Sequence, residues 1–433
     1  MSLRKAVGVI GGGPSGFAVA RALSAELSAG ESLYDITIFE RRSTTGGVWE
    51  FTGKGPLYRD LDTNIYQYLM EFKDHKFPSN DKPTFIKRDE VRQYVDNYSN
   101  SVASKANVHV NFNSEVSNLT KNGNKWIIES NNKNHEFDRV IVATGHYEYP
   151  AYPDTPGLEE YRNVAPEKVT HTKHYFEPSP FTGKKVLVIG NGSSGVDVTI
   201  QLLSVTAPVT ISRLSVAKSD EAFTEGKDVI FKPVIDRIDP KDGTVYFSDG
   251  SKDSYDYLIY ATGYSYKAPF LETFDGKAPH KVLDSERYQR IQNLYKYIFY
   301  IPDPTLAFVG LNTQIIPMPF VESQGEVISK IWADRIKLPS TEEMHEEEKK
   351  LIAEKGTGTG FLYMGYPADV EYMHELNKWA DQAGEGGFFA ERWGDFKKQM
   401  RSAFAEHKFT EYFRKVNESN ARRQLYSENQ PLS

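Results

Sequence analysis

Two glycine-rich segments have the spacing of residues that hold a diphosphate. VIGGGPSG places Gly11, Gly13 and Gly16 in the order G-x-G-x-x-G, and VIGNGSSG repeats the order with Gly190, Gly192 and Gly195. In this spacing the first glycine permits a tight turn between strand and helix, the second lets a diphosphate approach bare backbone, and the third lets the helix pack on the strand. The helix that follows turns its unpaired N–H groups toward the anion. Pro14 and Ser15 open the first such helix, and Ser193 and Ser194 open the second.

The strand after each turn ends on a different charge. DITIFERR carries Glu40 and Arg41 at its end, and a carboxylate there accepts hydrogen bonds from both hydroxyls of a free ribose. VTISR ends in Ser212 and Arg213, and a guanidinium there suits a ribose 2'-phosphate that a carboxylate would repel. Read alone, Arg213 has a solvated strand end as its alternative. Together the opposite charges imply two dinucleotides, FAD in the first turn and NADPH in the second: one holds electrons and the other delivers them as hydride.

The elements that must position these residues read as a doubly wound α/β chain. Strand, turn, helix and strand open it, and EFDRVIVATG closes the first region after the polar-turned strands VHVNFNSEV and KWIIES. Prolines 150, 153 and 156 break the chain before the second glycine turn, and a second proline-rich link follows YDYLIYATGY. PTLAFVGL and SQGEVISKIWADRI then read as a closing strand and helix of the first domain. The expected architecture is therefore two Rossmann-like domains, the NADPH domain inserted into the FAD domain. The boundaries expected are 1–174 and 291–433 for the FAD domain, the latter with a helical C-terminal region, and 175–290 for the NADPH domain. STEEMHEEEKK reads as a solvated helix face.

Composition removes several function classes. The chain has 433 residues, 52 Lys plus Arg against 59 Asp plus Glu, and a net charge of -7, which gives no general attraction to nucleic acid. It has no Cys, so a redox-active cysteine pair is impossible, and with it a disulfide reductase built on the same two-dinucleotide plan. The ten His include one close pair, His171 and His174, without a third ligand nearby, and no metal is expected. No apolar run reaches the length of a membrane span, and the basic start runs directly into the glycine turn without a cleavage site. A cytoplasmic protein is expected, a homodimer and peripheral membrane contact both being compatible with the sequence.

Several independent stretches together resemble the flavin-containing monooxygenases, particularly their compact fungal members. They are VIGGGPSG, GGVW at Gly46 to Trp49, LYRDLDTNIYQYLMEF, the strands VATGHY and YATGY, and IFYIPDPTLAFVGL, and they span nearly the whole chain. The family's pattern F-x-G-x-x-x-H-x-x-x-[FY] survives in APEKVTHTKHY only as His171 and Tyr175, with Ala165 and Glu167 in place of Phe and Gly. Tyr175 favours oxidation of soft heteroatoms over ketones, since related Baeyer–Villiger enzymes end the pattern otherwise.

The resemblance assigns further roles. It puts Gly47, Val48 and Trp49 against the flavin, although Trp49 read alone serves equally as core. Thr144 and Gly145 stand where the domains meet, and Ser193 and Ser194 bond the NADPH diphosphate. Thr63, Val116 and Gln324 join the cofactor-binding set. Asn64 matches the active-site asparagine, whose amide both donates and accepts; read alone it is equally a turn or helix cap. The activity implied is NADPH- and O2-dependent oxygenation of a small thiol, thioether or amine through a flavin C4a-hydroperoxide. A Baeyer–Villiger ketone oxidase and a non-catalytic NADPH-sensing flavoprotein are the alternatives.

Overall fold

The computed structural model describes residues 4–53, 55–78, 84–278, 280–284 and 286–428. The chain divides into two compact units. The first comprises Met1–Glu50, Ile65–Tyr149 and Ser265–Ser402, the second Phe51–Asn64, Pro150–Tyr264 and Ala403–Ser433.

In the first unit, β1 (Lys5–Ile10), helix α1 (Pro14–Ser24), β2 (Tyr34–Phe39) and β3 (Arg139–Val142) build the centre of a seven-stranded sheet. β1 lies between β2 and β3 and is parallel to both, with Val7 opposite Ile36 and Arg139. The inner residues of β1 are buried, as a parallel strand covered on both faces requires. Leu306–Phe308, expected as the closing strand, pairs in parallel with β3. Because the chain leaves β1 to one side for β2 and returns on the other for β3, their carboxyl ends frame a crevice where such folds bind ligands.

Pro14 starts α1 at the position where a missing N–H costs nothing. Helix Pro317–Trp332 crosses close to α1, because a side chain on Gly325 would lie 3.3 Å from the Cα of Val19. That helix is buried almost all round, and its charges are compensated internally: Glu326 meets Arg392 at 2.7 Å and Lys330 at 3.5 Å. Met70, Met318, Met344, Met373 and Met400 are also buried in this unit.

The second unit repeats the plan. β4 (Val186–Ile189), helix α2 (Ser193–Leu202), β5 (Val209–Ser212) and β6 (Tyr257–Tyr260) belong to a five-stranded sheet whose pairings are all parallel. All residues of β4 and β5 are buried. Two segments remote in sequence complete this unit. Tyr58, from Phe51–Asn64, and Tyr412 and Val416, from the C-terminal helix Asp395–Glu428, enter its hydrophobic core.

These units depart from the expected boundaries in four places, the first being Phe51–Asn64, which groups with the second unit. The insertion begins at Pro150 instead of Tyr175, it closes at Tyr264 instead of 290, and residues from Ala403 onward group with it instead of with the first unit.

Candidate dinucleotide sites

At the first turn each glycine meets a separate steric demand. Gly11 has φ of +110°, and a Cβ there would come within 2.5 Å of the Ala143 carbonyl oxygen at the end of β3. A Cβ on Gly16 would overlap the Gly11 carbonyl. Gly13 is set against Gly47, since a side chain on Gly47 would approach the Gly13 Cα to 2.8 Å. Two bare backbones therefore face each other, and the short helix Gly47–Trp49 brings Val48 and Trp49, both half-buried, to the same place.

Glu40 is buried at the end of β2. One carboxylate oxygen accepts the Gly12 N–H at 2.8 Å and the other the Arg42 N–H at 2.8 Å. An ionised carboxylate has about four lone-pair sites, so each oxygen retains capacity for a hydroxyl. Arg41 is exposed and donates to Glu148 at 2.5 Å. Val116 follows Ser114, whose N–H donates to the Glu40 carbonyl at 2.8 Å, so it borders the same strand end. Thr144 and Gly145 are exposed beyond β3. His146 beside them is buried, which lowers its imidazole to about 4.

Two arginines escaped the sequence reading. Arg42 donates to the Gly47 carbonyl, and Arg92 lies under Gly46 and donates to Glu50 at 2.7 Å. Both fix the GGVW loop, but nothing local in the sequence links Arg92 to a loop over forty residues earlier.

Gln324 corrects the expectation of a direct cofactor contact. It is fully buried; its Oε1 accepts the Gly310 N–H at 2.9 Å and its Nε2 donates to Tyr372 at 3.2 Å. Its amide is used in holding Gly310, and a Cβ on Gly310 would come within 2.9 Å of the Ser15 hydroxyl. Gln324 acts on the loop beside Ser15.

The second turn has the same geometry with one opening. Gly190 has φ of +106° and a Cβ there would lie 2.8 Å from the Ala261 carbonyl oxygen, while a Cβ on Gly195 would overlap the Gly190 carbonyl. Gly192 has φ of -70°, and no atom lies within 4 Å of the position a Cβ would take. The bare backbone of Gly192 and the exposed Ser194 therefore border open space at the start of α2.

Arg213 is a paired arginine, not a free strand end. Its Nη1 donates to Asp220 at 2.5 Å, and its guanidinium carbon stands 3.7 Å from the centre of the Phe231 ring. Asp220 is buried and also accepts Asn191 Nδ2 at 3.2 Å and the Ala217 N–H at 2.8 Å. A guanidinium has five donors, so the Asp220 pair leaves several for an incoming anion. Ser212 is a second correction: its side chain is buried and its hydroxyl donates to the Pro233 carbonyl at 2.9 Å, which directs it into the fold and away from a ligand.

Thr63 is buried and Asn64 exposed, and both group with the second unit. Two residues earlier Asp62 meets Lys415 of the C-terminal helix at 2.9 Å. Lys415 also approaches Asp197 of α2 at 3.9 Å, and Tyr58 donates to Asp197. His171 is buried with its Nδ1 accepting the Lys173 N–H at 3.0 Å, and burial lowers it to about 4. Tyr175 is buried and donates to Gln201 at 3.2 Å. The two surviving positions of the family pattern are thus structural supports.

Both glycine turns lie within one match to known proteins, and a second match covers the chain beyond them. A family model described as pyridine nucleotide-disulphide oxidoreductase matches residues 9–295, and one described as flavin-binding monooxygenase-like matches residues 225–384. The thiol-specific monooxygenase of Saccharomyces cerevisiae is 31% identical, with 78% of this chain and 79% of the relative covered. The chain belongs to the flavin-containing monooxygenase family. An Arabidopsis thaliana member, flavin-containing monooxygenase FMO GS-OX-like 7, is 30% identical, covering 87% of this chain and 84% of its own. Among solved structures, the S-allyl-L-cysteine S-oxygenase of Allium sativum shares the fold with a TM-score of 0.78 at 24% identity, covering 98% and 99% of the two chains.

The protein is an oxidoreductase whose cofactors are FAD and NADPH. Both glycine turns fit such groups, since each leaves bare backbone at the second glycine and a strand-end charge suited to one ribose. The chain contains no Cys, so it has the fold of the disulphide oxidoreductases without the residues for thiol exchange. No helix among the described residues is long and apolar enough to cross a membrane.

Proposed function

We propose that this flavin-containing monooxygenase transfers one oxygen atom from O2 to a soft nucleophilic sulfur or nitrogen in a small molecule, at the expense of NADPH. The observation that carries the reading is the charge inversion between two otherwise equivalent turns, Glu40 after one and Arg213 after the other. FAD, once reduced by NADPH, supplies the activation of dioxygen when bound.

The residues of the chain do the rest. Gly11, Gly13, Pro14, Ser15 and Gly16 receive the FAD diphosphate, Glu40 its ribose, and Gly47, Val48 and Trp49 lie along the flavin, bordered by Val116, Thr144 and Gly145. Gly190, Gly192, Ser193, Ser194 and Gly195 receive the NADPH diphosphate, and Arg213, held in place by Asp220 and Phe231, takes the 2'-phosphate. Asn64 holds donor and acceptor toward the reacting groups without an acidic proton of its own, and keeping water away there preserves the activated oxygen for the substrate.

Sulfur is the first substrate class to test. The yeast relative is named for thiols and the garlic structure for an S-oxygenase, and Tyr175 stands where the family's pattern expects Phe or Tyr. The test supplies NADPH, 18O2 and either a thioether or a cyclic ketone to the FAD-loaded enzyme. The expected result is one labelled oxygen in a sulfoxide per NADPH consumed. Lactone formation at a higher rate would replace this reading with a Baeyer–Villiger one.

A further inference from the structure

The C-terminal helix reaches the second glycine turn. Its Phe409, Tyr412 and Val416 follow helical spacing and pack on the core of the second unit, which fixes which face it presents. On that face Lys408 Nζ donates to the hydroxyl of Ser193 at 3.1 Å, from a position 215 residues away in the chain. The ammonium also lies 5.3 Å from the centre of the Tyr412 ring, a contact that holds a cation in place.

Ser193 is the first residue of α2 and follows Gly192, whose missing side chain leaves the space beside it open. The Ser193 hydroxyl accepts from Lys408 and is also hydrogen-bonded to the Tyr412 hydroxyl of the same helix. The neighbouring carboxylate, Asp197, lies one helical turn further along α2; Lys415 and Tyr58 are its partners, and it also feels the charge of Lys408. A glycine turn by itself offers a diphosphate only N–H groups and the partial charge of a helix end. Here the Lys408 ammonium stands within hydrogen-bond distance of Ser193, the residue next to Gly192 and its open Cβ position.

We infer that Lys408, delivered by the C-terminal helix, is a ligand of the NADPH diphosphate, acting beside and through Ser193. The inference rests on the reading of the second glycine turn as the NADPH site. Because the diphosphate is common to NADPH and NADH, Lys408 contributes to binding of both, whereas Arg213 distinguishes between them.

The test uses the FAD-loaded enzyme and its Lys408→Met, Lys408→Arg, Arg213→Ala and Gly192→Val variants. Calorimetry gives the Kd of NADP+ and of NAD+, and inorganic pyrophosphate is titrated as a competitor. Lys408→Met should weaken NADP+ and NAD+ by the same factor, about tenfold for loss of a charge-assisted bond, and pyrophosphate in parallel. The ratio of the two dinucleotide constants should stay at the parent value, and Lys408→Arg should recover most of the loss. Arg213→Ala should change that ratio instead. Unchanged constants in Lys408→Met, with binding abolished by Gly192→Val, would overturn the role of Lys408 and leave the NADPH site standing. A Lys408→Met variant that altered the ratio would also overturn it. Normal NADP+ binding by Gly192→Val would overturn the site itself.

Discussion

In the proposed NADPH site, Arg213 would decide cofactor choice through an arrangement that includes its neighbours. Asp220 and the Phe231 ring hold the guanidinium at the strand end, so a 2'-phosphate meets a donor group already oriented. A charge-assisted hydrogen bond contributes about 1.5 to 3 kcal/mol, so Arg213→Ala should lower kcat/KM for NADPH by roughly tenfold to a hundredfold and leave NADH nearly unchanged. Anaerobic flavin reduction with each cofactor measures this, and a parent enzyme indifferent to the two would refute it. Asn64 calls for a different readout. The short helix that follows it, Gln67–Leu69, begins after Tyr66 and has no side-chain cap, so Asn64 is not that cap. Asn64→Ala should therefore retain FAD and accept hydride at the parent rate, while the ratio of oxygenated product to NADPH falls and hydrogen peroxide is released. A residue that only capped a turn would cost about 1 kcal/mol of stability with that ratio intact.

At the scale of the elements, the two turns should fail in different ways when blocked. Gly13→Val presses on the Gly47 backbone and should yield protein without FAD, whereas Gly192→Val enters open space and should stay yellow but be reduced slowly by NADPH. Absorbance at isolation and stopped-flow reduction separate the two, and loss of FAD from Gly192→Val alone would reverse the assignment. The turns were legible in the sequence because their information is local: a strand, three glycines at fixed spacing and a helix occur in one continuous stretch. Glu40 and Arg213 were legible for the same reason, each ending the next strand. Asp220 was not, since it resembles any loop acid until folding sets it against Arg213. The hydroxyl of Ser212 and the amide of Gln324 were misread because their sequence positions do not reveal the backbone carbonyl or N–H that engages them. The C-terminal helix misled most. Its apolar positions predict a helix that packs on something, and periodicity cannot say which unit supplies the partner.

For the whole molecule, two buried imidazoles make a contribution to stability that acid removes. His146 in one unit and His171 in the other are both lowered from 6.5 to about 4 by burial. Between those values the unfolded chain binds a proton that the folded one does not. The stability that these imidazoles contribute is therefore complete above about pH 6.5 and falls as pH drops toward 4, by up to about 1.4 kcal/mol per pH unit for each, while Glu322, raised by burial to about 7, acts in the opposite sense over 4.5 to 7. His171→Gln retains an acceptor for the Lys173 N–H and should lose less stability than the parent between pH 7 and pH 5, measured by urea unfolding. An equal loss in both would place the acid sensitivity elsewhere. The burial of the methionines bears on the lifetime of the enzyme at work. In the proposed reaction, turnover that misses its substrate would release an oxidant beside the protein, and sulfur side chains are its first targets. The chain offers no thiol, and among the described residues Met364 alone of the methionines is not buried. Among the methionines of the described residues, prolonged turnover without substrate should therefore leave sulfoxide first at Met364, detectable by peptide mass, while the core methionines stay reduced until the fold opens; self-inflicted oxidation would begin at the margin of the core, where Met364 is half-buried.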